Sequence, residues 1–134
     1  MEILETNLWK VILLPDQAYL GRSVVVLKRD CGNLSSLTTE EWADLQKVII
    51  KLEKAFKETF KPTMFNWACL MNGAYQESPP KPQVHFHFIP RYRNKVEFAG
   101  IMFEDLEFAN PYSLTRKQIV SEEVLEKIKD VIKF

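Results

Sequence analysis

The only two histidines of the chain, His85 and His87, stand two residues apart in the run "PKPQVHFHFIPRY" at positions 80 to 92. Side chains alternate across an extended strand, so Gln83, His85 and His87 share one face of such a run while Val84, Phe86 and Phe88 share the other. Three large apolar groups assign their face to a core. The opposite face presents two imidazoles and an amide, with neighbours about 6 to 7 Å apart. Three readings of that row compete. A half-wet antiparallel strand shows polar residues on its solvent side with no further purpose. Two imidazoles can begin a zinc site, but a third His, Cys or carboxylate is needed, and neither Cys31, Cys69 nor any further histidine offers itself in sequence. Neutral imidazole can also attack phosphorus directly. Its unperturbed pKa of about 6.5 leaves a free lone pair near pH 7, provided the other ring nitrogen donates to a fixed acceptor.

A strand that aims such rings needs a scaffold, and the rest of the chain supplies one. "LWKVILLP" and "RSVVVLKR", separated by the turn-forming "DQAYLG", predict an opening β-hairpin. Thr38 and Glu41 form a capping box that starts a long helix ending near Lys61, ahead of Pro62. Trp42, Leu45, Val48, Ile49, Leu52, Phe56 and Phe60 recur at intervals of three or four and give that helix one apolar stripe. "TMFNWACLMN" predicts a third strand followed by an Asn72-Gly73 turn, then the proline-rich loop "AYQESPPKP", the histidine strand and a fifth strand in "VEFAGIMF". Ser121 caps a short last helix whose apolar face is Val124, Leu125, Ile128, Val131 and Ile132. Hairpin-joined strands with helices gathered on one side make an α+β domain on an antiparallel sheet, and no linker divides residues 1–134, so a single domain is expected.

Composition narrows the function. Apolar residues at 46% and charged residues at 27% match an ordinary globular core and exclude disorder or a fibrous repeat. Eighteen basic and eighteen acidic side chains cancel, which removes the whole-molecule positive field that nucleic-acid binders use for capture. Two well-separated cysteines are too few for a disulfide framework and indicate reduced thiols in a cytoplasmic protein. Glu2 and Glu5 stand where a secretory signal carries positive charge, and no apolar run approaches the roughly 20 residues that cross a bilayer. Export and membrane anchoring are therefore not expected.

"PQVHFHFIPRY" resembles the active-site strand of the histidine triad (HIT) family of nucleotide hydrolases and transferases, whose motif has three histidines at alternate positions followed by Pro-Arg. Gln83 stands at the first position, His85 at the second and His87 at the third. The similarity extends to Asn72-Gly73 and to "YLGRSVVVLKR", which is similar to the family's Gly-His hairpin strand, and it covers most of residues 8 to 93. The resemblance implies a HIT-like antiparallel sheet with one long and one short C-terminal helix. By the same resemblance His85 is the nucleophile that takes up a nucleotidyl group at the α-phosphorus, His87 bonds the phosphate and orients the site, and Asn72 contacts the phosphate and ribose region. Relatives pair as homodimers, and a purine nucleotide is the expected small-molecule ligand. No metal is demanded at the histidine and no cofactor is required, although a divalent cation could accompany a polyphosphate substrate.

Three departures shape the expectation. Gln83, counted with His85 and His87 among the catalytic residues, can donate and accept and so can support the strand and a neighbouring phosphate oxygen, but it cannot titrate. Arg22 replaces the histidine of Gly-His with a permanent planar cation suited to phosphate oxygens. The loop "QESPPKP" carries Ser78 as its one hydroxyl, where phosphoramidase relatives use a Gly-rich segment with a hydroxyl that assists a departing amine. An amine needs a proton to leave, whereas a polyphosphate leaves as a stable anion and mainly needs cations to hold it. The expected substrate is thus a nucleotide anhydride such as a dinucleoside polyphosphate, clamped by Arg22, Lys81, Arg91, Arg93 and Lys95. The alternative is a nucleotide-binding or regulatory protein that kept the pocket and lost useful turnover; a scaffolding domain that binds no nucleotide is the third possibility.

Overall fold

The chain begins on a short strand, β1 (Glu2–Glu5), that the sequence pattern did not announce; only four residues long and solvent-facing at both ends, it has little alternation to read. In the computed structural model, which describes residues 1–134, "WKVIL" and "SVVVL" form β2 (Trp9–Leu13) and β3 (Ser23–Leu27), the expected antiparallel hairpin. Both alternate buried and half-buried residues, the period of an extended chain with one covered face. Helix α1 (Thr39–Phe60) starts where the capping box places it, with the Glu41 amide donating to Thr38 Oγ1 and the Thr38 amide donating to the Glu41 carboxylate. It stops at Lys61, whose left-handed backbone (φ 55°) turns the chain before Pro62.

Strands β4 (Met64–Ala68) and β5 (His85–Arg91) complete a five-stranded antiparallel sheet in the order β1-β2-β3-β5-β4. Where one strand was expected over 96–103, the chain makes a separate hairpin of β6 (Val96–Phe98) and β7 (Ile101–Phe103). Its two turn residues, Ala99 and Gly100, both have positive φ (52° and 75°), the requirement of a tight hairpin turn. Helix α2 (Glu122–Val131) is capped by Ser121 as expected. No helix is long and apolar enough to cross a membrane. The architecture is α+β.

One face of the sheet carries the main core, in which Trp9, Val11, Leu13, Val25, Leu27 and Phe88 meet Leu45, Val48, Leu52 and Phe56 of α1 and Val124, Leu125 and Ile128 of α2. Two expected members stand apart. Val131, the last residue of α2, is 39% exposed, and Trp42 is 44% exposed because the buried stripe of α1 runs through Glu41 and Leu45 instead, with Glu41 held inside by the Arg29 guanidinium. Gly21, just before β3, has φ +92°, and a Cβ there would come within 2.4 Å of the Phe56 ring, so only glycine lets this turn pack on the helix.

The other face is covered over half its width. Residues 104–120 cross it without helix or strand, apart from a single bridge between Asp16 and Ile119. Ala18, Tyr19 and Ile89 are buried beneath this strap, with Tyr112 packed against them. The uncovered half shows Val24 and Val26 of β3 and the two histidines of β5. Register sets Val24 beside His87, Val26 beside His85, and Ala68 of β4 on the other side of His87.

Candidate functional site

His85 and His87 project from the same face of β5, with ring centroids 5.0 Å apart and planes at 74°. Both line one cavity of about 440 Å³, together with Arg22, Asn72, Gly73, Gln76, Gln83, Tyr112 and Leu114. Opposite faces were assigned correctly for Val84 and Phe88, which are fully buried; Phe86 is half-buried between the rings of Trp9 and Trp42. A larger and more open trough of about 640 Å³ lies across Gln83, edged by Lys10, Lys28 and Lys81. It holds no histidine, and Lys28 and Lys10 are paired with Glu5 and Glu2, so the reactive groups belong to the smaller cavity.

The His85 ring is fixed by its own strand. Its Nδ1 lies 2.8 Å from the backbone carbonyl of Gln83. A carbonyl can only accept, so Nδ1 carries the proton and the lone pair resides on Nε2. His87 sits deeper. Burial first, and then the charges of His85 and Arg22, push its pKa down from 6.5 to about 4, so the ring is neutral at pH 7. Arg22 approaches from the residue before β3, its guanidinium Nη1 3.1 Å from Asp16 Oδ2 in a pair whose side chains are only 14% and 13% exposed.

Gln83 borders the cavity, yet its amide is engaged elsewhere. Nε2 donates to the carbonyls of Leu27 and Arg29 at 2.7 Å each, and Oε1 accepts from the Cys31 amide at 3.1 Å. Of the two roles expected of Gln83, these bonds supply the support of the strand: the side chain staples the end of β3 to the start of β5.

Two expectations are corrected. Arg91 does not face the cavity; it is 98% buried under the strap, where Nε and Nη2 bind Asp105 and Nη1 binds Asn66 Oδ1. It was expected in the clamp as part of the basic run beside the strand, but a segment fourteen residues downstream folds over that end and takes the charge. Ser78 is exposed and does not line the cavity, and Gln76 is the polar residue its loop contributes. Of the five-residue cationic clamp, only Arg22 borders the histidines. Lys81 edges the neighbouring trough, the Arg93 guanidinium lies 4.9 Å from the Phe108 ring centroid, and Lys95 pairs with Glu104.

Asn72 lines the cavity from the first residue of a short 3-10 helix, Asn72–Gln76, rather than from a simple turn. Tyr112 and Leu114 were missed, because nothing periodic marks the strap. Asp16 was read only as turn chemistry. No group of three His, Cys, Asp or Glu side chains is close enough to hold a metal ion.

A family model described as HIT domain matches residues 3–94. No curated protein sequence matches the chain. Among solved structures, a histidine triad protein from Sinorhizobium meliloti 1021 superposes with a TM-score of 0.73 at 17% identity, covering 98% of this chain and 85% of that one. A histidine triad protein from Bradyrhizobium japonicum gives a TM-score of 0.70 at 21% identity, with 98% and 86% covered. A hypothetical histidine triad nucleotide-binding protein from Sulfolobus tokodaii strain7 gives 0.66 at 17% identity, with 97% and 78% covered. At these identities the likeness is one of fold.

Proposed function

Because the chain belongs to the HIT domain family, we propose that it hydrolyses or transfers the nucleotidyl group of a nucleotide anhydride, a purine dinucleoside polyphosphate being the best fit, through a covalent intermediate on His85. The observation that carries this reading is the tautomer of His85: Nδ1–H is tied to the Gln83 carbonyl, which leaves the Nε2 lone pair for phosphorus. In the first step Nε2 bonds to the α-phosphorus and the bond from phosphorus to the bridging oxygen breaks, its electron pair leaving with the polyphosphate anion. In the second, a water oxygen bonds to phosphorus, the P–N bond breaks, and the proton released by water goes to solvent while Nε2 recovers its lone pair.

The preference for an anhydride has two supports. His87, with its pKa near 4, is a neutral imidazole at pH 7 and offers no acidic imidazolium proton, and Ser78 stands away from the cavity. A leaving group that departs unprotonated is favoured in such a site. Arg22 supplies fixed positive charge where the transferred phosphate gathers negative charge.

The test is turnover of diadenosine polyphosphates against adenosine phosphoramidate, with wild type and His85→Ala. The reading expects the anhydrides to be strongly preferred and the variant to lose activity on the order of a thousandfold or more. Preference for the amidate, or undiminished turnover in His85→Ala, contradicts it. Nucleotide binding without turnover would favour the alternative of a regulatory binder.

We also infer a homodimer formed along β4. This strand pairs only with β5, so its other edge has open backbone groups, with Met64 41% exposed beside it.

A further inference from the structure

Two buried polar side-chain atoms in the whole chain have no hydrogen-bond partner, Arg22 Nε and His87 Nδ1, and both side chains line the histidine cavity. Shielding a guanidinium N–H from water with no acceptor is costly, and an anion seated in the cavity beside it offsets that cost. The Nε of a guanidinium can only donate. The required ligand group is therefore an acceptor, and beside a permanent cation an anionic one.

The direction of that cation is set by Asp16. Its Oδ2 binds Arg22 Nη1 at 3.1 Å, while Oδ1 accepts the amides of Ala18 at 3.1 Å and Gln118 at 2.9 Å. Gln118 belongs to the strap that also brings Tyr112 and Leu114 to the cavity. One carboxylate thus joins the turn before β3, the strap and the guanidinium. With Nη1 so engaged, the guanidinium is held against the cavity wall.

We propose that Asp16 is a positioning residue that holds the Arg22 guanidinium at the cavity wall, where its outward N–H groups meet a non-bridging phosphate oxygen beside His87. This fixed pair gives the site its selectivity for phosphorylated over unphosphorylated nucleosides. The proposal rests on the nucleotide reading above but needs no turnover. A charge-assisted bond exceeds a neutral one, and loss of its alignment weakens phosphate binding by about tenfold.

Calorimetric titration of the intact chain with AMP and with adenosine tests it, in wild type, Asp16→Asn and Arg22→Lys. Asp16→Asn keeps size and an acceptor for the two amides while removing the charge; Arg22→Lys keeps the charge and loses the planar fork that Asp16 orients. Wild type is expected to bind AMP more tightly than adenosine, and each variant to weaken AMP by about tenfold with adenosine unchanged. A purely structural role would lower the melting temperature and weaken both ligands together. An AMP-to-adenosine ratio unaltered in Asp16→Asn, or no AMP preference in wild type, overturns the proposal. If no anhydride is turned over but the ratio falls, the hydrolase reading fails alone; if turnover holds and the ratio is unaltered, this inference fails alone.

Discussion

At Gln83 a single amide ties three backbone groups, at the end of β3 and in the loop after it, to the segment that leads into the histidine strand. Replacing it with alanine leaves those groups to water and is expected to cost about 1–3 kcal/mol in urea unfolding. Turnover should fall as well, since the carbonyl that orients His85 belongs to the same residue. His87 makes a prediction with a definite sign. Its native pKa lies near 4, below the ordinary 6.5. The unfolded chain therefore takes up a proton that the native ring refuses, and the stability His87 contributes is complete above about pH 6.5 and shrinks as pH falls toward 4. The charged and titratable groups facing it are His85 on its own strand and Arg22 ahead of β3, with Asp16 behind Arg22. Unfolding free energy should drop less between pH 7 and pH 5 in His87→Gln than in wild type, and an equal drop contradicts the assignment. At this scale the sequence revealed the histidines and Arg22, because residue type and spacing carried the signal. Which of its two expected roles occupies Gln83 was hidden, since an amide facing a cavity and an amide bonded to backbone read alike in sequence.

Among the elements, α1 was legible to within a residue at both ends, because its start and stop are local chemistry: a capping box at Thr38 and a proline after Lys61. Thr38→Ala should cost about 1 kcal/mol, measured by thermal or urea unfolding. The Arg29 guanidinium and the Thr38 amide hold the Glu41 carboxyl near a pKa of 2, so the stability from that carboxylate is present above about pH 4.5 and lost as pH falls toward 2. The β6–β7 hairpin was not legible. Its turn uses Ala99 at positive φ where asparagine or aspartate would have signalled the bend, so the run read as one strand. Gly21 is where an element meets its neighbour most closely. Gly21→Ala must place a Cβ against Phe56 in a backbone region that alanine avoids, and a loss of roughly 1–3 kcal/mol is expected.

Over the whole molecule, the two faces of the sheet divide the labour. One carries the core between sheet and helices, while the other is half covered by the strap and half open at the histidines. The strap is pinned by Arg91 with Asp105, and by Glu107, which accepts from both Tyr19 and Arg116. Both guanidiniums also lie over the Tyr19 ring. Removing one partner of a buried ion pair strands the other, so Asp105→Asn should cost about 3–5 kcal/mol in unfolding measurements. This long-range cover is what local patterning could not show, and it is why Arg91 read as a phosphate ligand. The account as a whole depends on His85 forming a bond to phosphorus. Rapidly quenched wild-type protein, mixed with a dinucleoside polyphosphate and examined by intact and peptide mass spectrometry, should carry one nucleoside monophosphate on His85 and none in His85→Ala. Turnover with no adduct at any quench time, or an adduct on another residue, would contradict it.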